Sequence, residues 1–299
     1  MIIVELYGGL GNQMFEYALG RHLAILNNTV LKLATSQFER HPLRNYALNC
    51  FRIQEEFASE SEIRMHRYGF SGRLPSAICH YLAKISDRLG YKFPLRRPGY
   101  FIENETLFRP EILEARGDIY LSGYWQTEKY FQIIRETLLR DFTFKEPPDA
   151  ENARILAMIM AAESVSVHVR RGDYVNNPAT REIHNCCDAE YYARATRIIK
   201  ERLSSPHFFI FSDDPDWVRG NFRVPGPMTV VAHNSGKRDH EDMRLMSACR
   251  HNILANSSFS WWGAWLNSEP SKIVIAPQRW YNSDKFATRD LIPEEWLKL

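Results

Sequence analysis

Five short apolar runs in the second half of the chain, Val165 to Val169, Phe208 to Phe211, Met228 to Val231, Ile253 to Ala255 and Ile273 to Ala276, alternate with segments of helical period. That rhythm predicts a parallel sheet with helices on both faces. Ligands of such sheets lie outside the carboxyl ends of the strands. At those ends stand HVRRGDY, SDDPDW, AHNSGKRDHED, NSSFSWW and PQRW, so polar and aromatic residues collect where the architecture puts a pocket.

The first half opens with a buried strand from Ile2 to Tyr7, the glycine turn GGLGNQ, and a helix carrying Met14, Ala18, His22 and Leu26 on one line with Phe15, Leu19 and Leu23 beside it. A further strand, DIYLSG, precedes YWQTEKYFQIIRETLL, which reads as helical, and Trp125 within it is a candidate cleft aromatic. The stretch from about residue 53 to about residue 100 is irregular and basic, with Lys84, Arg88, Lys92, Arg96 and Arg97 among aromatics, and reads as a solvated face or an interaction surface. The proline-bearing KEPPD segment, Lys145 to Asp149, reads as a linker, which divides the chain into 1–148 and 149–299.

With 38 basic and 36 acidic residues among 299, the charge is balanced and gives no argument for a nucleic-acid partner. Cys50, Cys79, Cys186, Cys187 and Cys249 are odd in number and lack CxxC pairing, so reduced thiols in a cytoplasmic protein are expected. No run reaches the roughly 20 apolar residues of a membrane span, while a peripheral membrane contact stays open.

Each motif carries two readings. Gly9 and Gly11 match the first two glycines of GxGxxG, but Met14 stands at the third, and a tight turn explains the loop as well as a nucleotide does. In HVRRGDYV, strand alternation puts His168 and Arg170 on one face, so that one arginine can face an anionic ligand while the other or Asp173 braces it. A guanidinium fork suits a diphosphate, though a strand-end ion pair fits the same residues. An adhesion role for Arg171, Gly172 and Asp173 is weak, because the tripeptide continues a buried strand. Asp214 and Asp216 form a DxD, yet Pro215 at a first helical position makes Asp214 an N-cap and no metal is expected. Ser257 and Ser258 open a helix whose amides could hold a phosphate or merely be capped, and Trp261, Trp262 and Trp265 read as core.

Taken together, GGLGNQMFEYALG, LSGYWQTEKYF, HVRRGDY, FSDDPDW and EDMRLMSACRHNILANSSFSWWGAWL resemble the bacterial α-1,2-fucosyltransferases, glycosyltransferase family eleven, and more distantly the α-1,6- and protein O-fucosyltransferases. The resemblance implies an α/β GT-B fold, two Rossmann-like domains facing across a cleft, with GDP-fucose held mainly by the C-terminal one. It implies inverting transfer without a metal or other cofactor. Gly11 and Asn12 are then expected near the donor, with His168, Arg170, Asp213, Asp242, Ser257, Ser258 and Phe259 forming the nucleotide site. Arg170 would bind the diphosphate and Asp242 would read guanine. Asp173 and His184 are the candidate bases, since Pro178 stands where the α-1,6 enzymes carry a glutamate.

The expected reaction is fucosyl transfer to the 2-hydroxyl of a terminal β-galactoside, in O-antigen or capsule assembly. Transfer of other regiochemistry, a metal-dependent GT-A reaction at Asp214 and Asp216, and a glycan-binding protein without catalysis are the alternatives.

Overall fold

The computed structural model describes residues 1–40, 44–68, 99–104, 106–172, 187–234, 236–282 and 288–299. Two compact units divide after Phe142, where the sequence put the boundary after residue 148. Residues of the proposed linker are tied into the second unit. The Arg244 guanidinium donates to the Glu146 carbonyl at 2.7 Å and lies over the Phe144 ring, and Arg238 pairs with Asp149 at 3.1 Å. The basic residues Lys84 to Arg97 lie outside the described residues, as do Cys79 and Cys186.

In the first unit a four-stranded sheet has the order β2-β1-β4-β3, built from β1 (Ile2–Glu5), β2 (Leu31–Ala34), β3 (Tyr100–Ile102) and β4 (Ile119–Ser122). Every neighbouring pair is parallel. Between β1 and β2 runs α1 (Leu10–Leu26), whose Met14, Phe15, Ala18, Leu19 and Leu23 are buried. Gly20 lets this helix lie close on the sheet, because a Cβ there would come within 2.8 Å of Leu31 Cδ1. Gly8 turns the chain at φ +62°, a backbone that favours glycine. Short helices α2 (Ser36–Arg40) and α3 (Glu60–Tyr68) follow β2.

The stretch YWQTEKYFQIIRETLL is not one helix. It makes 3-10 turns at Glu128–Tyr130 and Gln132–Ile134 before α4 (Arg135–Asp141). Thr127 caps the first turn by accepting from Lys129 N, and the Tyr130 carbonyl is bonded to the His22 ring instead of an amide four residues on. Adjacent Tyr130 and Phe131 are thereby both buried, Phe131 against Phe15 at 5.9 Å. Tertiary burial has overridden the helical period. Trp125 is also fully buried, at φ +55°, so it is not a cleft aromatic; its neighbour Tyr124 is the exposed ring.

The second unit is a six-stranded, all-parallel sheet of order β10-β9-β8-β5-β6-β7. Its elements run α5 (Ala150–Ala161), β5 (Glu163–Val169), α6 (Ala189–Arg202), β6 (Pro206–Ser212), α7 (Pro215–Asn221), β7 (Met228–Val231), α8 (Asp239–Ala248), β8 (His251–Ile253), α9 (Ser258–Leu266), β9 (Val274–Ala276) and β10 (Leu297–Lys298). On β6, Phe208 and Ile210 join the apolar layer that includes Tyr191, Tyr192 and Ile199 of α6, while Phe209 and Phe211 join Ile155 and Ile159 of α5 and Leu245 and Met246 of α8. Alternation along one strand thus builds two cores.

On β5 only one face is apolar. Val165, Val167 and Val169 join the first layer, whereas Ser164, Ser166 and His168 are buried polar residues on the other face. Two of them are satisfied locally: Ser166 Oγ accepts from Asn252 Nδ2 at 2.7 Å and Ser164 Oγ accepts from Arg250 N at 3.1 Å. These polar residues draw His251 and Asn252 into β8, which starts earlier than the apolar run at Ile253 suggested. The third, His168, lies at the strand's carboxyl end. Trp261, Trp262 and Trp265 pack α9 into the interior as expected. Among the described residues no helix is long and apolar enough to cross a membrane.

Candidate nucleotide-sugar site

Strand order in the second sheet reverses at β5. The chain steps outward through β6 and β7, then returns to place β8 on the other side of β5. At such a switch point the loops leaving neighbouring strands diverge and leave a crevice. A cavity of about 300 Å³ lies among these loops, at the lower end of the volumes that hold small ligands. Its wall takes His168 and Arg170 from the end of β5, Ser212 and Asp213 from the end of β6, Asn234 from the loop after β7, Asp239 and Asp242 from α8, and Phe259 from α9.

Arg170 is held by Asp213, with Nη1 to Oδ2 at 3.0 Å. The other carboxylate oxygen of Asp213 accepts from Arg171 N at 2.8 Å. Arg171, the other arginine of the pair, does not brace Arg170: its Nε pairs with Asp214 at 3.3 Å and its guanidinium carbon sits 3.6 Å from the centre of the Trp217 ring. Two adjacent arginines are therefore sorted by different acids. Ser212 ties the strand ends together, donating to the Val169 carbonyl at 2.7 Å and accepting from Asp214 N at 3.1 Å. Asp214 caps α7 by accepting from Trp217 N, with Pro215 at the start of the helix, as the sequence suggested. Among the described residues no three His, Cys, Asp or Glu side chains gather as a metal site.

Gly172 makes the brace sterically possible, because a Cβ there would lie 2.7 Å from Asp213 Oδ2. Asp213 cannot withdraw without losing Arg170 or the Arg171 amide. Gly172→Ala is expected to fold normally and lower turnover about ten- to a hundredfold by displacing the guanidinium. Equal turnover in wild type and variant, measured at saturating donor, would contradict the role assigned to this contact.

His168 is buried, and desolvation together with the Arg170 charge pushes its ring down to about 4, against the opposing pull of Asp213. It is a neutral imidazole at pH 7. Its Nδ1 is buried and has no hydrogen-bond partner among the described residues, which makes it available as an acceptor or donor in the cavity wall. Asp242 is half-buried there; desolvation first, then the charges of Asp239 and Glu241, raise it to about 7, while an Asn234 Nδ2 bond at 2.9 Å pulls it back.

The cavity therefore brings together His168, Arg170, Asp213, Asp242 and Phe259 of the expected residues. Ser257 and Ser258 are not in its wall; Ser257 caps α9, accepting from Phe259 N at 3.3 Å. Gly11 and Asn12 belong to the first unit, in the first turn of α1, where Asn12 Oδ1 accepts from Gln126 at 2.9 Å. Gln13 beside them is a structural amide, bonded to the Gly8 and Asn45 carbonyls and to Ala47 N. Asp173 and His184, the candidate bases, lie outside the described residues. Sequence reasoning missed Asn234 and Asp239; the only signal was their place in AHNSGKRDHED at a strand's carboxyl end.

Among solved structures, a mutant Arabidopsis thaliana FUT1 in complex with GDP aligns over 99% of this chain and 75% of its own length, with a TM-score of 0.50 and 11% identity. Its likeness and the two parallel α/β units show a GT-B fold class, which the sequence resemblance implied. In sequence, the chain is 33% identical to an α-1,2-colitosyltransferase of Escherichia coli, over 100% of this chain and 99% of that one. It is 31% identical to the O-antigen biosynthesis glycosyltransferase WbnK of Escherichia coli, over 98% and 99%. Galactoside alpha-(1,2)-fucosyltransferase 2 of Rattus norvegicus matches at 25% identity over 89% of this chain and 67% of its own. The model of glycosyl transferase family 11 matches residues 95–299, which span the whole of the second sheet and its cavity. The chain is a glycosyltransferase and belongs to family 11.

Proposed function

We propose that the protein transfers L-fucose from GDP-fucose to the 2-hydroxyl of a terminal β-galactoside on an O-antigen or capsule-type glycan, with inversion at the anomeric carbon and without a metal. The observation that carries this reading is the pairing, in one cavity of the second unit, of a braced arginine with a half-buried carboxyl group. In this reading Arg170 binds the diphosphate and Asp242 accepts from the two adjacent N–H groups of guanine. Phe259 and the neutral His168 line the space between.

Inverting transfer needs charge compensation on the departing GDP as its bond to the anomeric carbon lengthens. Arg170, set by Asp213, supplies it. The acceptor hydroxyl loses its proton to a base, for which Asp173 and His184 remain the candidates. The partners are the nucleotide sugar and the acceptor glycan, met in the cytoplasm.

A second donor is favoured by the similarity to an α-1,2-colitosyltransferase. Colitose is fucose without its 3-hydroxyl, so the same GDP site would serve either sugar. The deciding experiment incubates the full chain, with and without EDTA, with GDP-fucose or GDP-colitose and a panel of β-galactosides, then maps the product linkage. An α-1,2-fucosylated product insensitive to EDTA is expected. Product from GDP-colitose alone would reassign the donor, another linkage would overturn the regiochemistry, and loss with EDTA restored by Mn²⁺ would return the DxD reading.

A further inference from the structure

Behind Asp242 runs a chain of side-chain amides with only one workable polarity. It starts at Asp149, the N-cap of α5, whose Oδ1 accepts from Asn152 N at 2.9 Å and from Asn152 Nδ2 at 3.1 Å. Those bonds hold the Asp149 carboxyl below its usual range, so it stays an acceptor. An ionised carboxylate cannot donate, which obliges Asn152 to turn its NH₂ toward Asp149 and its oxygen the other way. Asn152 is wholly buried and uses all four of its hydrogen-bonding positions. Its Nδ2 also donates to Asn234 Oδ1 at 2.9 Å, while its Oδ1 accepts from Asn234 Nδ2 at 2.8 Å and from His233 Nε2 at 2.9 Å.

This reciprocal pairing fixes Asn234 in turn. Its oxygen faces Asn152, and its NH₂ is shared between Asn152 and Asp242 Oδ1. The far end is clamped by Arg238, which donates to Asp149 Oδ2 at 3.1 Å and to the His233 carbonyl at 2.8 Å. A loose Asn234 could turn over and offer its oxygen, which only a protonated Asp242 could meet.

We propose that Asn152 is a positioning residue for base recognition, holding Asn234 so that a hydrogen-bond donor always faces Asp242 and the carboxyl group meets an incoming guanine as an acceptor. The proposal rests on the reading of Asp242 as the group that contacts guanine. The surroundings make the donor matter. On α8, Asp239 and Glu241 push a proton onto Asp242, although Glu241 is itself paired with Arg244 at 2.8 Å. In the rest of the cavity wall stand Arg170, held by Asp213, and the neutral His168. Beyond Asn152 are His233, which lies 3.6 Å from Glu151, and the Asp149 and Arg238 pair. Burial and the two acids of its own helix favour the acid form, and Asn234 opposes them.

The test is calorimetric titration of the full chain with GDP alone, from about pH 5.5 to about pH 9, for wild type, Asn152→Ala and Asp242→Asn. Asn152→Ala is expected to weaken GDP about fivefold at pH 7 and about tenfold below pH 6, move the midpoint of the pH dependence up by about one unit, and converge on wild type near pH 9. A purely structural role would not give that convergence. An Asn152→Ala profile that overlays wild type, or is weaker by one constant factor at every pH, overturns the proposal and leaves the Asp242 reading standing. GDP binding by Asp242→Asn equal to wild type overturns the Asp242 reading itself. Should Asn152→Ala fail to fold, Asn234→Ala removes the same donor at a half-buried position, with the same expected shift and the same overturning results.

Discussion

Arg170→Ala is expected to lower turnover about a hundred- to a thousandfold, with a much smaller change in KM for the donor, and Arg170→Lys to recover little of it. Three features lead there. Arg170 lies in the cavity wall at the carboxyl end of the central strand β5, where the strand order reverses. Asp213 fixes one edge of the guanidinium at 3.0 Å, so its direction is set before any ligand arrives. Lastly, negative charge on GDP grows as the sugar leaves, and a preorganised cation stabilises that growth more than it stabilises the ground state. Lysine keeps the charge but lacks the fork that meets two phosphate oxygens while one nitrogen stays on Asp213. Single-turnover kinetics with GDP-fucose, or with GDP-colitose if that is the donor, read the chemical step directly. Turnover within threefold of wild type in both variants would remove Arg170 from the mechanism.

The second large effect is a dependence of GDP affinity on pH. Asp242 sits near pH 7 instead of at the usual 3.8, because burial and the neighbouring Asp239 and Glu241 disfavour its charge. On the proposed contact with Asp242, guanine offers two N–H donors and needs the carboxylate. Binding must then expel a proton below about pH 7, and affinity falls about tenfold for each unit of acidification. Above that value it is level. The fold feels the same shift with the opposite sign. A carboxyl that holds its proton more tightly folded than unfolded favours the fold in acid, and that contribution is lost as the pH rises from about 4 through about 7. His168, already neutral, adds no step to GDP binding above about pH 5, but in the fold its depressed ring works against Asp242, adding stability as the pH rises from about 4 toward the ordinary imidazole value of 6.5. The terminal phosphate of GDP titrates at about 6 on its own, and Asp242→Asn separates the two. This variant is expected to bind GDP about ten- to a hundredfold more weakly at pH 8 and to keep only the phosphate step. A wild-type profile that matched the variant's would show that Asp242 does not contact the base.

Periodicity and capping were readable from the residues alone because they depend on neighbours a few positions away. The alternation SVSVHV dictated that Ser164, Ser166 and His168 share a face, and the SDDPDW stretch carried its own helix start at Asp214 and Pro215. The apolar runs of the second half dictated a parallel sheet and so the end at which its pocket would open. Partner choice among polar side chains obeyed no such rule. HVRRGDYV does not say which arginine faces the cavity; Asp213 and Asp214, arriving on the adjacent strand β6, divide Arg170 from Arg171. Nor does any pattern join Asn152 to Asn234, which meet because α5 and the loop after β7 are brought together by the fold. Trp125 and Tyr124 make the same point in the first unit, where a positive φ at the tryptophan buries it and leaves the tyrosine exposed. The sequence by itself determined five strands of the second sheet and two of the first, the polar face of β5 and the region of the site. Only the tertiary structure decided which charges pair there, because an ion pair or an amide chain depends on distances between strand ends that local chain geometry does not encode.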